Sequence, residues 1–165
     1  MQIDCLASHA FRCAPEAVYD LMVDTARFPA AFSGYGLIPA IRAITLQGPL
    51  AVGATRRVEN ADGSVLTERI DALHPPSRHA YTLSGFRAPF SWLVTRGAAE
   101  WGITPARGDG ATVSWRYRFT LTGPLAYAPA ALILHLFMAR AMRRCLARMA
   151  TMLEPSALDA LPEAR

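Results

Sequence analysis

Between Thr112 and Leu121 the chain alternates with a period of two. Val113, Trp115, Tyr117, Phe119 and Leu121 fall on one face; Thr112, Ser114, Arg116, Arg118 and Thr120 fall on the other. One dry face and one wet face suit an antiparallel sheet covered on a single side. The same period, kept less cleanly, predicts strands at about 3–13, 37–47, 53–60, 64–73, 78–86 and 94–104. In the first of them Ile3, Cys5, Ala7, His9 and Phe11 share a side. The separators "QGP", "ADGS", "HPPS" and "ARGDGA" carry turn chemistry, and such short connections predict a meander of antiparallel neighbours.

The period lengthens to that of a helix in two regions. In "CAPEAVYDLMVD" Pro15 suits a first turn, Glu16 suits its positive end, and Val18, Leu21 and Met22 form a stripe. "TARFPAAF" predicts a second short helix broken around Pro29. After "TGPLAYAP" a long helix is expected from Pro129 to Leu153. At roughly 100° per residue, Arg140, Arg143, Arg144, Ala147, Arg148 and Thr151 lie on one side. Met138, Met142, Cys145, Leu146, Met149, Met152 and Leu153 lie opposite, together with His135. The first half is apolar all round through Leu132, Ile133, Leu134, Leu136, Phe137 and Met138. Such a surface needs a cover: loops, a second subunit or a membrane surface. A transmembrane span is not expected, because about 20 apolar residues are needed. The uncharged run reaches that length only by counting a strand end, Gly123, Pro124 and Pro129.

Composition narrows the function classes. With 165 residues, 52% hydrophobic and 18% charged, the chain suits one domain with a sizeable core, here 1–153, followed by a tail at 154–165. The net charge is +4, but the arginines are scattered and not interleaved with aromatics, so nucleic acid is not an expected partner. Every basic residue is arginine, which excludes Schiff-base and P-loop lysine chemistry. Cys5, Cys13 and Cys145 make no paired metal spacing, and "MQIDCLASHAFRC" is no signal peptide, so a cytoplasmic setting is expected. The four histidines, His9, His74, His79 and His135, lie on different elements; neither a metal nor a cofactor is expected. His74 and His79 flank the Pro-Pro turn, where exposure is expected.

Several segments in this order resemble the START-like (SRPBCC) superfamily, in particular its polyketide cyclase/dehydrase and lipid-transport group. They are "FRCAPEAVYDLMVDTARFPAAF", "GPLAVGATRRVEN", "LTERIDALHPPSRHAYTL", "GDGATVSWRYRF" and the closing amphipathic helix, and they span about residues 3–153. The resemblance implies an α+β helix-grip (Bet v 1-like) fold. A seven-stranded antiparallel sheet would wrap around the long C-terminal helix, with two short helices between strands 1 and 2. It further implies a deep apolar cavity. No short catalytic motif is shared across that family, so no catalytic residue carries over.

Within that frame some residues stand out. Glu68 shares a strand face with Leu66, Ile70 and Ala72; inward, it is a carboxylate in an apolar cavity and an acid, base or ligand partner. The other reading puts it at a strand edge or in a pair with Arg57 or Arg116. His135 is either a satisfied histidine, bonded to a backbone carbonyl or to Glu68, or a ligand contact and acid–base group. Glu68 and His135 are thus the catalytic candidates. Expected ligand-binding residues are Phe32, Tyr35, Glu68, Tyr81, Trp101, Trp115, Tyr117, His135, Met138 and Met142. The leading expectation is binding or transport of a hydrophobic small molecule: a lipid, an isoprenoid or quinone, or an aromatic polyketide. An aromatase/cyclase or dehydratase is the first alternative. The second is an interaction module that docks a homodimer partner or a membrane surface through 132–138.

Overall fold

The computed structural model describes residues 1–154; the expected tail lies outside them apart from Glu154. Seven strands form one antiparallel sheet in the order β1-β7-β6-β5-β4-β3-β2. They are β1 (Gln2–Phe11), β2 (Ile41–Gln47), β3 (Thr55–Asn60), β4 (Val65–His74), β5 (Arg78–Ser84), β6 (Val94–Pro105) and β7 (Ala111–Leu121). Strands β2 to β7 run as the expected meander, and β1 closes the sheet by pairing along the whole of β7. Between β1 and β2 lie α1 (Pro15–Val23) and the short α2 (Phe28–Ala31). Pro29 opens α2 rather than breaking it, since its missing N–H costs nothing in a first turn. This is the α+β helix-grip architecture.

The alternation of β7 holds: Val113, Trp115, Tyr117, Phe119 and Leu121 are buried, while Thr112, Ser114, Arg116 and Arg118 are exposed. The second strand starts at Ile41, four residues later than its pattern suggests. Gly34 and Gly36 adopt positive φ and turn the chain there. Gly34 leaves no room for a side chain, because a Cβ would sit 2.3 Å from the Ile38 carbonyl oxygen.

One helical stretch follows β7 and takes in both Pro124 and Pro129: a 3-10 turn (Pro124–Ala126), α3 (Tyr127–Ile133), a π-turn (Leu134–Met138) and α4 (Ala139–Leu153). By length and composition alone, Pro124–Leu153 is long and apolar enough to cross a membrane. Its inward face nevertheless fills the domain core. Ala141, Met142, Cys145, Leu146, Met149 and Ala150 are buried, as the sequence stripe predicts, but Met152 at the end is exposed. The π-turn adds a residue to the coil and shifts the phase of the apolar stripe. Facing it, the Cys5 thiol donates to the Leu134 carbonyl at 3.6 Å.

The helix grips only part of the sheet, and small residues on β6 make room for the rings of β7. On β6 the inward positions run Gly97, Ala99, Trp101 and Ile103. They face Phe119, Tyr117, Trp115 and Val113 of β7 across the ladder. Small residues thus stand beside large rings, and Tyr117 stacks on Phe119 at 4.7 Å. A Cβ on Gly97 would lie 2.7 Å from Tyr117 Cε1 and 3.1 Å from Phe119 Cε1. Gly97→Ala should therefore destabilise the domain by about 1–3 kcal/mol through overpacking, read as a lower urea midpoint at unchanged slope.

Candidate functional site

Between the inner face of β3–β7 and the helix lies a cavity of about 390 Å³. Its wall is largely aromatic and aliphatic: Phe32, Tyr81, Trp101, Trp115, Tyr117, Phe119 and Met138 line it, with Val58 and Leu66 beneath. Trp101 and Trp115 stack at 4.1 Å, and Phe28 of α2 and Phe32 just after it meet them edge-on. Lining residues that are themselves exposed mark the mouth. They are Leu37, from the turn before β2, Asp62, from the β3–β4 turn, and Arg87, Ala88 and Pro89, from the β5–β6 connection. Ile133 and Met138 bring the helix into the same lining.

Within this apolar enclosure sits a charged pair. Alternation along β3 turns Arg56, Val58 and Asn60 inward, and the register sets Arg56 directly across from Glu68 of β4. Both side chains are buried. Arg56 Nε donates to Glu68 Oε1 at 2.7 Å, and Nη2 lies against the same oxygen. Arg56 Nη2 also donates to His79 Nε2 at 3.0 Å. His79 Nδ1 in turn donates to the Ala72 carbonyl at 3.1 Å, which fixes the tautomer: proton on Nδ1, lone pair toward the guanidinium. Burial, together with the Arg56 charge, pushes His79 down to about 4, so it is neutral here. Burial pushes the Glu68 carboxyl above its ordinary range, and Arg56 opposes that shift.

Above the pair stand several polar tips. Trp101 Nε1, Trp115 Nε1 and the Tyr117 hydroxyl are buried without a well-formed hydrogen bond, although the Tyr81 hydroxyl lies close to both Trp101 Nε1 and the Tyr117 hydroxyl. Burial also raises the Tyr81 and Tyr117 phenols, so both remain protonated donors at neutral pH. The turn between β3 and β4 adds a small polar ledge. There Asn60 Nδ2 donates to Ser64 Oγ at 2.9 Å, and Ser64 Oγ donates to Asp62 Oδ1 at 2.6 Å.

Phe32, Glu68, Tyr81, Trp101, Trp115, Tyr117 and Met138 line the cavity together. Glu68 combines both of its readings, since it faces inward and is paired. Its partner, however, is Arg56, not Arg57, which pairs with Glu59, nor Arg116, which is exposed. His135 is exposed on the outer side of the π-turn and takes no part in the wall, so it and Glu68 are not brought together. Met142 is fully buried but packs in the solid core beside the cavity. Tyr35 is half-buried outside the cavity, against Phe137 at 6.3 Å and beneath the guanidinium groups of Arg140 and Arg144. His79 was expected to be exposed at the Pro-Pro turn and is instead fully buried, whereas His74 is exposed as expected. Arg56 and His79 are the residues the sequence reading passed over. The signal was present, because period-two alternation already puts Arg56 with Val58 and His79 with Tyr81. Among the described residues, no three His, Cys, Asp or Glu gather as a metal site would require.

Residues 5–154 match the sequence profile of the family described as polyketide cyclase / dehydrase and lipid transport, and the chain belongs to that family. No curated protein matches it. Among solved structures it is similar to the di-domain ARO/CYC BexL from the BE-7585A biosynthetic pathway, at TM-score 0.69 and 17% identity over 94% of this chain and 51% of that one. It therefore spans about half of that protein. It is also similar to major latex-like protein 151 from Panax ginseng, at TM-score 0.68 and 10% identity, covering 94% of this chain and 99% of that one. Ara h 8.0201 gives TM-score 0.65 at 14% identity, over 92% and 99% of the two chains. Family and fold agree. Members of this family generally bind hydrophobic ligands.

The neutral, buried His79 makes a pH prediction. An imidazole free at 6.5 when unfolded and held at about 4 when folded leaves the unfolded state binding more protons between those values. Its contribution is complete above pH 6.5 and is lost as pH falls toward 4. His79→Gln keeps an acceptor for Arg56 and a donor for Ala72 but does not titrate. Urea unfolding of wild type and variant at several pH values should show the wild type losing roughly 2–3 kcal/mol more over that interval.

Proposed function

We propose that this chain binds one hydrophobic small molecule in the cavity, of a kind that carries a hydrogen-bond-accepting oxygen on an apolar body. A quinone, an aromatic polyketide or an oxygenated lipid has that form. The observation that carries the reading is the wall itself: stacked tryptophans and aliphatic side chains, with the Tyr117 hydroxyl and two indole N–H groups lacking a well-formed hydrogen bond within the protein. An unpaired buried donor costs about 1–3 kcal/mol, and a ligand oxygen can offset that cost. The volume, about 390 Å³, falls within the roughly 300–1,000 Å³ of small-molecule sites. Family membership supports an apolar ligand. A cyclase or dehydratase acting through Glu68 and His135 is not supported, because those two groups do not share the site.

Calorimetric titration with menadione and 2-methylnaphthalene, which differ by the two carbonyl oxygens, tests the reading. Menadione should bind with one-to-one stoichiometry and more tightly than the hydrocarbon. Val58→Trp, which fills the cavity floor, should abolish binding while the protein stays folded. Equal affinity for the two compounds, or binding that survives Val58→Trp, contradicts the proposal.

Tyr117→Phe separates stability from function. Removing the hydroxyl should stabilise the free protein by about 1 kcal/mol and weaken menadione roughly threefold to tenfold. Thermal melts and the same titration read the two effects, which have opposite signs.

A further inference from the structure

The helix leaves the sheet with an uncovered face, and that face adjoins the cavity mouth. Leu125 is 97% exposed, Leu132 62% and Leu136 41%. All three lie on the one helical stretch: Leu125 in its opening 3-10 turn, Leu132 in α3 and Leu136 in the π-turn. Beside them, the short 3-10 turn of the β5–β6 connection holds Trp92 outward at 71% exposure. Trp92 and Leu125 wall the same shallow surface depression, and Leu93 belongs both to it and to the cavity lining. Apolar rim and cavity mouth are therefore continuous. Among the described residues, nothing covers this rim.

The charge along the helical side of the rim has one sign, while Asp62 lies within electrostatic reach of Arg87 at the cavity mouth. From residue 72 to 99, and again from 110 to 153, the chain contains no Asp or Glu. Those stretches supply the β5–β6 connection and the entire helix. They carry Arg87 at the mouth and Arg140 and Arg143 beyond Leu136, all exposed. A partner protein would need an acidic patch to compensate these arginines, and a second copy would set arginine against arginine. An anionic lipid surface fits both features. It takes an outward tryptophan and leucines into its interfacial layer and accepts arginines at its headgroups.

We propose that this rim docks reversibly onto a bilayer bearing anionic headgroups, with Trp92, Leu125, Leu132 and Leu136 entering the interface and the arginines held at its surface. The cavity mouth then opens toward the lipid. The docking does not depend on what the cavity holds.

The full chain is sedimented with vesicles of phosphatidylcholine, alone or mixed with phosphatidylglycerol. It should pellet with the mixed vesicles, release progressively as salt is raised, and stay in solution with phosphatidylcholine alone. Trp101 and Trp115 are buried, so a blue shift of emission on vesicle binding would report Trp92. Leu132→Glu and Trp92→Ala should abolish sedimentation, and Arg143→Gln should weaken it about fivefold. All three sites are exposed, so circular dichroism and melting temperature should be unchanged. Val58→Trp should bind vesicles like wild type, which separates this result from failure of the cavity reading. No pelleting with mixed vesicles at low salt overturns the proposal. So does pelleting that Leu132→Glu leaves intact, or a dimer in solution that Leu132→Glu dissociates while wild type ignores vesicles.

Discussion

A guanidinium cannot be left alone in an apolar interior, and the inner face of this sheet contains one. Arg56 is buried, and its requirements fix its surroundings. Glu68 supplies the opposite charge from the next strand, and His79 supplies a lone pair from the strand after that. Burying two charges is repaid only when their remaining hydrogen-bonding capacity is met. Here that condition ties together β3, β4 and β5 on the half of the sheet that the helix does not fill. The space above the ion pair stays open. The hollow half of the interior thus carries a polar anchor, and the solid half methionine and aliphatic packing against α4.

The aromatic residues divide along the same line. Trp101 and Trp115 complete the solid core with one edge and form the cavity wall with the other. Gly97 and Ala99 on β6 make room for Phe119 and Tyr117 on β7. Without those small residues the rings would be pushed off their stack into the cavity. A wall of this kind is apolar but not inert, since its indole and phenol tips lack well-formed hydrogen bonds within the protein. Such donors stabilise a ligand at the expense of the empty fold, the usual trade at a binding site.

Much of the architecture is legible in the sequence, because it rests on local patterns. The alternation of β7, the turn residues and the Met/Arg split of α4 each reflect one period and one burial boundary. The site was legible in part. Trp115 and Tyr117 follow directly from the alternation, and Glu68 from its apolar neighbours. Arg56 and His79 were missed because charge and a nearby turn suggest solvent, and only strand register reveals that the three groups meet. His135 failed for a related reason. A helical wheel assumes constant pitch, and the π-turn at Leu134–Met138 breaks that assumption where His135 lies. Its ring consequently joins the exposed side of a helix whose apolar first half still reaches the surface.

The hollow interior should hold a molecule. Native mass spectrometry of the chain as first purified tests this most directly, with lipid extraction of the same sample. The account predicts a one-to-one adduct that is lost on denaturation and identified in the extract as an apolar compound bearing oxygen. The bare chain mass, with no thermal stabilisation by any of a panel of fatty acids, quinones and aromatic polyketides, would contradict it.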